Sequence, residues 1–359
     1  KDEKRLSLTK EKERNMISQT EHELTGVPSV DKPWLKNYGE EVMHRPLPDG
    51  SMYDYLTSCN VDRMDEAALN YFGKKVTHRK MQEKIDACAR ALLAYGVRAG
   101  DAVSLCVLAM PEAVYLLYAI NKIGAIANML VMNATEAEIH EKLAVTESKV
   151  VITVDLALEK IVQASRETTV KHIIGVSLAE SMPCVIGTLY KWKSKVKQKN
   201  CISFSGFLKA GQGQNIEYPE IKADEPAVIA YTGGTTGKAK GVLLSNRAAN
   251  AIAFQYKYAD KVLDFQNGER FLDIIPPFLA YGLFLGVHMA LCTCLEDVLC
   301  PDPAPERLPE LFTKYRPNHL SGGPLHMEAM TKDKKIQKMN LFFAKTVAYG
   351  GDGMNQEWE

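Results

Sequence analysis

The residues best suited to chemistry are the glycines, threonines and lysines of one short stretch, 231–241. The stretch reads Tyr-Thr-Gly-Gly-Thr-Thr-Gly-Lys-Ala-Lys-Gly. Glycine lets backbone N–H groups face a phosphate without a Cβ in the way, threonine adds hydroxyl donors, and lysine neutralises negative charge. The composition therefore predicts a loop that binds a polyphosphate. The spacing is not that of a Walker A loop, because no Gly-Lys-Ser/Thr follows at the required position.

The flanking sequence indicates which elements hold this loop. Residues 227–230 form a short apolar run bounded by Pro226 and the glycines, which predicts a buried strand. A second apolar run at 242–244 follows the loop, and Ser245 is placed to cap the start of a helix. A glycine-rich hairpin with incidental lysines is the alternative interpretation.

The stretch 231–241 resembles the phosphate loop of the adenylate-forming superfamily, which includes acyl-CoA synthetases, aryl-CoA ligases, luciferases and peptide-synthetase adenylation domains. Its paired glycines, and Ala239 where most members have proline, look most like bacterial fatty acyl-CoA ligases. The resemblance implies catalytic roles for Thr232 and Lys240. It implies phosphate binding by Thr232, Gly233, Gly234, Thr235, Thr236, Gly237 and Lys240.

Three further segments resemble elements that surround the acyl chain and the adenine in this superfamily. Residues 276–282 resemble an element lining the acyl pocket, although Leu279 stands where many members have a histidine or aromatic residue that orients the carboxylate. Residues 321–324 resemble a turn beside the acyl tunnel, and residues 349–354 a segment that lies along adenine. These likenesses imply acyl binding by Tyr281, Gly282, Gly323 and Gly350, and adenine binding by Gly351, Asp352 and Gly353.

Asp352 departs from the family pattern, in which a small residue is usual. Its carboxylate would either accept a hydrogen bond from the adenine amino group or hold the turn, and both roles stay open.

Apolar strands alternate with helical patterns on both sides of the loop, which is typical of parallel sheets covered on both faces. We therefore expect an α/β fold with two doubly wound, mostly parallel β-sheets flanked by helices. The expected domains are an N-terminal arm over 1–50, a first α/β subdomain over 51–222 and a second over 223–359 that carries the phosphate loop. A helix is expected over 281–291.

A basic stretch interrupts the alternation near 185–205. Lysines occupy every second position from 191 to 199 around Trp192. A solvated surface insertion is the expected structure, and contact with an anionic membrane or with a CoA phosphate is the alternative.

The composition excludes several classes of protein. Lys+Arg and Asp+Glu both number 44 in the 359 residues, so no net charge recruits nucleic acid. No apolar run approaches the ~18 residues of a membrane span. The 8 cysteines include no C-x-x-C pair and predict a reducing cytoplasm, while Cys292, Cys294 and Cys300 fit no usual zinc spacing, so no metal site is expected there.

The resemblance implies ATP-dependent activation of a carboxylic acid to an acyl-adenylate, followed by thioester formation with CoA. Mg²⁺ is the implied metal cofactor, and the apolar run over 276–285 favours an alkyl or aryl chain. The resemblance to fatty acyl-CoA ligases implies a fatty acid. The alternatives are an adenylation domain for an amino or aryl acid and a non-catalytic nucleotide-binding protein. The acid, ATP and CoA are the expected partners, and a homodimer and peripheral membrane contact are left open.

The resemblance runs from about residue 50 to the end of the sequence. The family's Tyr-Gly-x-Thr-Glu element, ribose-binding aspartate and C-terminal domain with its adenylation lysine are not placed in this chain. We therefore expect an N-terminal nucleotide- and acyl-binding fragment without the C-terminal domain, nearly inactive alone in thioester formation.

Overall fold

The computed structural model describes residues 25–37, 44–193, 201–213, 217–232, 239–259, 263–302 and 304–353. The chain divides into two units, residues 1–45 and 46–359. In the first unit, the described residues form a short helix α1 (Pro28–Asp31) and a 3₁₀ turn (Pro33–Asn37). The Asp31 carboxylate accepts hydrogen bonds from the Thr25 hydroxyl and backbone and from the Gly26 backbone, which closes this small turn.

The second unit contains two β-sheets. Its first strands are β1 (Ala67–Tyr71), β2 (Lys74–Thr77), β3 (Ala102–Cys106), β4 (Ile126–Met129), β5 (Val150–Val154), β6 (His172–Val176) and β7 (Ile202–Ser203). The later strands are β8 (Pro226–Tyr231), β9 (Gly241–Ser245), β10 (Arg270–Asp273), β11 (Glu296–Leu299), β12 (His319–Gly322) and β13 (Thr346–Tyr349).

Helices connect these strands. Those before the phosphate loop are α2 (Met52–Cys59), α3 (His78–Ala94), α4 (Pro111–Lys122), α5 (Glu136–Val145), α6 (Leu158–Ala164), α7 (Cys184–Lys193) and α8 (Phe204–Ala210). Those after it are α9 (Asn246–Lys257), a π-helix (Gly282–Met289), α10 (Ala290–Cys292), α11 (Leu308–Tyr315) and α12 (Pro324–Lys332). Single 3₁₀ turns occur at Val61–Arg63, Asp155–Ala157, Pro305–Arg307 and Ile336–Lys338.

The strand order confirms the predicted fold class. One sheet of 6 strands has the order β13-β12-β10-β11-β1-β2, and the other of 7 strands has the order β7-β6-β5-β3-β4-β8-β9. All neighbouring pairs are parallel except β1–β2 and β8–β9. Strands β3 and β5 are buried almost throughout and are apolar except for Ser104 and Thr153, as expected of parallel strands covered on both faces.

Strand pairing crosses the predicted subdomain boundary at 222/223 in both directions. Strands β1 and β2 come early in the chain but join the 6-stranded sheet, where β1 pairs with β11. The hairpin β8–β9, predicted to belong to the second half, pairs with β4 in the 7-stranded sheet. Sheet membership depends on such long-range pairing, which the local sequence pattern does not encode. The subdomain boundaries themselves stay a prediction.

Two predicted elements differ in detail from what the structure shows. The helix expected over 281–291 is a π-helix over Gly282–Met289 that continues as α10. Within it Gly286 lies against the Asp273 carboxylate, since a Cβ there would be 2.6 Å from Asp273 Oδ1. The insertion expected near 185–205 includes helix α7, because Val185, Ile186 and Leu189 recur at helical spacing among the polar residues.

Helix α4 lies at the centre of the main hydrophobic core. Every residue from Pro111 to Asn121 is buried, including the polar Asn121. A helix that is apolar on all sides needs such a position, because no face of it could be left in water at low cost. Asn121 Nδ2 donates to Asn246 Oδ1, which links α4 to the end of the hairpin β8–β9.

Candidate functional site

The hairpin β8–β9 brings the two predicted catalytic residues together. Tyr231 pairs with Gly241 at the end of the antiparallel ladder. The Thr232 N–H donates to the Lys240 carbonyl at 3.0 Å, and the Lys240 N–H lies 3.4 Å from Thr232 Oγ1. Both residues are exposed at the mouth of the hairpin. The other predicted phosphate ligands, Gly233, Gly234, Thr235, Thr236 and Gly237, lie outside the described residues.

Tyr231 fixes the base of the hairpin to the sheet. Its hydroxyl donates to Asn128 Oδ1 at 2.9 Å, and Asn128 Nδ2 in turn donates to Ser104 Oγ at 2.7 Å. The Lys142 ammonium lies 4.2 Å from the centre of the Tyr231 ring. Burial raises the pKa of Tyr231 to about 12 and lowers the pKa of Lys142. The sequence analysis did not identify Lys142, because it looks like a solvent-facing lysine of an amphipathic helix.

Asn246 holds the opposite end of the hairpin, where β9 passes into α9. Its Oδ1 accepts from the Met52 N–H at 3.0 Å and from Asn121 Nδ2 at 2.7 Å. Its own Nδ2 donates to the Glu225 carbonyl at 3.0 Å. One step back, Ser245 Oγ accepts from the Ala248 N–H, which confirms Ser245 as the helix cap. The described strands of the hairpin are therefore anchored at both ends by buried or partly buried polar contacts.

Tyr281 lies where the glycine turns of the 6-stranded sheet meet. Burial raises the pKa of its hydroxyl, against a hydrogen bond with Ser321 that lowers it. A Cβ built on Gly350 would be 3.9 Å from the Tyr281 hydroxyl. The Gly350 N–H donates to the Gly322 carbonyl at 3.1 Å, so the turns after β12 and β13 are adjacent. Of the predicted acyl-binding residues, the structure thus places Tyr281 and Gly350 together, with Gly323 next to Gly322.

Gly282 and Gly323 have local structural reasons to be small. A Cβ on Gly282 would lie 2.4 Å from the Pro276 carbonyl oxygen and 2.5 Å from that of Ile275. Only glycine fits at this close approach between the π-helix and the loop before it. Gly323 precedes α12, and its N–H donates to His326 Nδ1 at 3.1 Å.

The predicted adenine segment is an exposed turn directly after β13. Gly351 has a φ of +93°, a left-handed conformation that favours glycine. Asp352 Oδ1 accepts from the Gly353 N–H at 2.8 Å. The carboxylate therefore holds the turn, which is one of the two roles the sequence left open.

A cavity of about 630 Å³ lies at the carboxyl ends of strands from both sheets. Its size is within the roughly 300–1,000 Å³ typical of small-molecule sites. Apart from Pro276 and Phe278, its lining residues were not identified from the sequence, although each follows a strand or lies on α7. The lining residues are Phe72, Leu108, Met132, Asn133, Leu156, Leu178, Met182, Ile186, Leu189, Tyr190, Pro276, Phe278, Pro301 and Asp302.

The lining of this carboxyl-end cavity is almost entirely apolar. Among the described residues that form it, Asp302 alone is charged, and it is exposed and 3.8 Å from Arg307. Pro276 and Phe278 belong to the segment 276–282 predicted to line an acyl pocket. Ligands of open α/β sheets bind outside the carboxyl ends of the strands, which is where this cavity lies.

A second cavity, of about 440 Å³, flanks the hairpin on the face of the 7-stranded sheet. Lys142, Tyr231, Ala239 and Gly241 contribute to its wall, together with residues at the amino ends of β3 and β4. It therefore lies along the sheet face and not at the carboxyl ends. Among the described residues, no group of three or more His, Cys, Asp or Glu side chains is arranged to hold a metal ion.

Two mostly parallel sheets, a glycine-rich hairpin and glycine turns at strand ends define an α/β protein built to bind a ligand at the carboxyl edge. The model of the AMP-binding enzyme family matches residues 57–359, and the chain belongs to that family. No helix in the described part of the chain is both long and apolar enough to cross a membrane.

Known proteins of similar sequence are named as fatty acyl-CoA ligases. The long-chain-fatty-acid–CoA ligase of Bacillus subtilis (strain 168) is 27% identical over 336 residues, which are 91% of this chain and 60% of that protein. The ligase of the same name from Yersinia pestis is 28% identical over 356 residues, or 92% of this chain and 62% of that protein. The chain thus spans about 60% of the length of these relatives.

Solved structures share the fold. An anthranilate CoA ligase in complex with anthranoyl-AMP superposes with a TM-score of 0.74 at 19% identity, covering 87% of this chain and 57% of that one. A long-chain-fatty-acid–CoA ligase from Archaeoglobus fulgidus gives a TM-score of 0.71 at 19% identity, covering 88% of this chain and 60% of that one. At 19% identity the similarity to these structures shows a shared fold only.

Proposed function

We propose that this protein activates a carboxylic acid with ATP and transfers the acyl group to CoA. The observation that supports this most is the pairing of Thr232 with Lys240 at the mouth of a hairpin, in a chain of the AMP-binding enzyme family. The acid carboxylate attacks the α-phosphate, the bond to pyrophosphate breaks, and an acyl-adenylate forms. CoA sulfur then attacks the acyl carbon, and AMP leaves.

In this proposal the hairpin acts by electrostatics and orientation, without a covalent enzyme intermediate. The Lys240 ammonium and the Thr232 hydroxyl offset the negative charge that develops on the departing pyrophosphate. The anchoring of Tyr231 on Asn128 keeps these donors in place before the substrate arrives. Mg²⁺ would shield the phosphates when bound, and its ligands are not assigned within the described residues.

We propose a fatty acid as the substrate and the carboxyl-end cavity as the place of its chain. The apolar lining supports an alkyl or aryl group, and its described residues include no buried carboxylate that would pair with the ammonium of an amino acid. The names of the sequence relatives support the alkyl chain. An aryl acid is the second candidate, because the cavity lining would suit an aromatic ring equally well.

Acid-dependent exchange of pyrophosphate into ATP tests the proposal. The full-length gene product would be assayed with long-chain, short-chain, aryl and amino acids at equal concentration. Exchange that is strongest with long-chain acids is the expected result. Exchange with aryl acids only would identify an aryl acid, and not a fatty acid, as the substrate. Absence of exchange in a folded protein that binds ATP would favour a non-catalytic nucleotide-binding role.

A further inference from the structure

Three cysteines converge at the ends of helices on the side of the π-helix away from Tyr281. Cys59 is the last residue of α2, Cys292 is the last residue of α10, and Cys294 follows two residues later. The Cys294 thiol donates to the Cys59 carbonyl at 3.5 Å. Cys292 is completely buried, whereas Cys59 is partly exposed to solvent. All three are free thiols.

Lys257 supplies a positive charge to this thiol cluster, defined by Cys59, Cys292 and Cys294. Its ammonium donates to Cys59 Sγ at 3.5 Å from the last turn of α9. Cys59 lies at a helix C-terminus, where the carbonyl dipoles oppose a negative charge. Because the lysine contact is direct, it counters that opposition.

The protonation states of the thiols differ. Hydrogen bonding by the Cys292 thiol, followed by the charge and hydrogen bond of Lys257 and a hydrogen bond from Tyr55, lowers the pKa of Cys59 to about 6 against the effect of burial. Burial raises the pKa of Cys292 well above its ordinary value. Asn60 directly follows Cys59, and its Nδ2 donates at 2.9 Å to the carbonyl of Leu291, which directly precedes Cys292, so the two cysteines lie on adjacent segments. Cys59 is therefore suited to be a nucleophile, and Cys292 is a neutral thiol close to it.

His288 approaches Cys292 but has other partners. Its Nε2 lies 3.0 Å from Asn250 Oδ1, an acceptor only, so Nε2 carries the proton and Nδ1 accepts from the Tyr118 hydroxyl at 2.9 Å. Burial lowers the pKa of His288 to about 3. The ring is a hydrogen-bonded structural histidine, and it is not a base for the thiols.

We propose that Cys59 is a peroxide-reactive thiol and that Cys292 resolves the oxidised form to a disulfide. The Cys59 thiolate attacks the terminal oxygen of a hydroperoxide; an S–O bond forms, the O–O bond breaks, and the alkoxide or hydroxide that leaves takes a proton from solvent. The Cys292 thiol then attacks the sulfenic sulfur and loses its proton, and hydroxide departs as water. Two thiols are oxidised to one disulfide, and one hydroperoxide is reduced to water or alcohol and water.

Peptide mass spectrometry of the full chain after brief exposure to hydrogen peroxide tests the proposal directly. The expected product is a disulfide-linked pair of peptides containing Cys59 and Cys292, reversed by dithiothreitol. Cys184, an exposed thiol on α7, is the internal reference and should be oxidised several-fold more slowly. The margin is only several-fold because a lower thiol pKa increases the thiolate fraction but reduces its nucleophilicity.

Variants separate the two steps. In Cys292→Ser the sulfenic acid should persist, so that dimedone labels Cys59, whereas Cys294→Ser should still form the Cys59–Cys292 disulfide. Lys257→Met should slow oxidation of Cys59 several-fold and leave Cys184 unchanged. The proposal is overturned if Cys184 is oxidised before Cys59, if Cys59 pairs with Cys294, or if dimedone does not label Cys59 in Cys292→Ser.

Discussion

Lys240 and Thr232 lie opposite one another at the mouth of the hairpin, and both are exposed. The Thr232 N–H donates to the Lys240 carbonyl, and the Lys240 N–H contacts the Thr232 hydroxyl. The motif predicted both residues. Tyr231 could not be assigned its anchoring role, since Asn128 is distant in sequence and only the fold brings it within 2.9 Å. Residues whose roles depend on local spacing can thus be predicted, whereas the distant residues that position them cannot.

Lys240→Ala is expected to lower the rate of ATP–pyrophosphate exchange by about 10²–10³, the usual cost of removing one transition-state donor. The change leaves the backbone contact with Thr232 in place, so the effect should fall on catalysis and not on folding. Lys222→Ala, at an exposed lysine outside the motif, is the matched control and should be unchanged. Equal exchange rates for the two variants would refute the role of Lys240.

Asp273 and Asp297 form a buried acidic pair on neighbouring strands β10 and β11. Among the described residues, no group hydrogen-bonds either carboxylate oxygen of Asp297. Burial, with the neighbouring Asp273 as a second cause, raises the pKa of Asp297 well above its ordinary value. The folded state therefore keeps this proton to a higher pH than the unfolded state does.

The pair should make the protein less stable as the pH rises. The stability that the folded protein has with the pair protonated is fully present below the unfolded pKa of about 3.9. It is lost as the pH rises towards the raised pKa of the folded state. Asp297→Asn removes one ionisable group, so the variant should gain stability over the parent at pH 8 and gain less at pH 5. The gain is on the order of 1.4 kcal/mol for each unit by which the pKa is raised.

Thermal unfolding at the two pH values measures this effect, with Asp62→Asn at an exposed aspartate as the control. A melting temperature that is lower for Asp297→Asn than for the parent at pH 8 would contradict the account.

At the scale of a single element, helix α7 has an exposed apolar face that its basic sequence pattern did not predict. Val185, Leu189 and Trp192 fall on one helix face and are 73%, 50% and 83% exposed. Leu189 also lines the carboxyl-end cavity, so the helix forms one wall of that cavity. An exposed apolar stripe with a tryptophan and neighbouring lysines is typical of a helix that lies on an anionic membrane surface. Membrane contact was an open alternative in the sequence and stays a prediction.

Trp192→Glu is expected to reduce binding to vesicles containing anionic lipid by about tenfold or more, because burial of one large apolar side chain is worth about 1.5–3 kcal/mol. Co-sedimentation with vesicles at low salt measures the effect. Trp34→Glu, at another partly exposed tryptophan, is the matched control. Equal binding by the parent and by Trp192→Glu would show that the exposed face of α7 does not bind the membrane.

The strands and most helices were predictable because their apolar runs have the right period and clear ends. Thr135 and Glu138 form the capping box that starts α5, for example, and Pro111 starts α4. The π-helix was not predictable, since the apolar sequence over 281–291 does not distinguish it from an α-helix and Gly286 meets Asp273 only in the folded chain. Helix α7 was not predicted, because lysines at every second position from 191 do not follow a helical period.

At the scale of the whole molecule, the carboxyl-end cavity depends on both sheets at once. Phe72 and Pro276 come from the 6-stranded sheet, and Leu108 and Leu178 follow strands of the 7-stranded sheet. No local pattern predicts such a cavity, because its walls come together only after the long-range pairing is complete. Its volume can nevertheless be changed by one side chain.

Leu108→Trp is expected to shift substrate preference towards shorter acids, since the indole occupies part of the 630 Å³. One methylene more or less in an apolar pocket changes kcat/KM by about tenfold or more. Exchange assays over a series of chain lengths measure the shift, and Leu341→Trp at an exposed leucine is the control. An unchanged chain-length profile would exclude this cavity as the acyl site.

The pairing of β1 with β11 also constrains how the chain folds during its synthesis. Asn70 on β1 hydrogen-bonds Glu296 on β11, 226 residues later in the chain. A ribosome adding about 5–20 residues per second needs roughly 10–45 s to make that partner. Until then β1 has an unpaired edge and a nearly continuous apolar sequence, which is the type of segment that associates wrongly with other chains. Slower translation between residues 77 and 296 would extend this exposed period, so protection by a chaperone would matter most for this early strand.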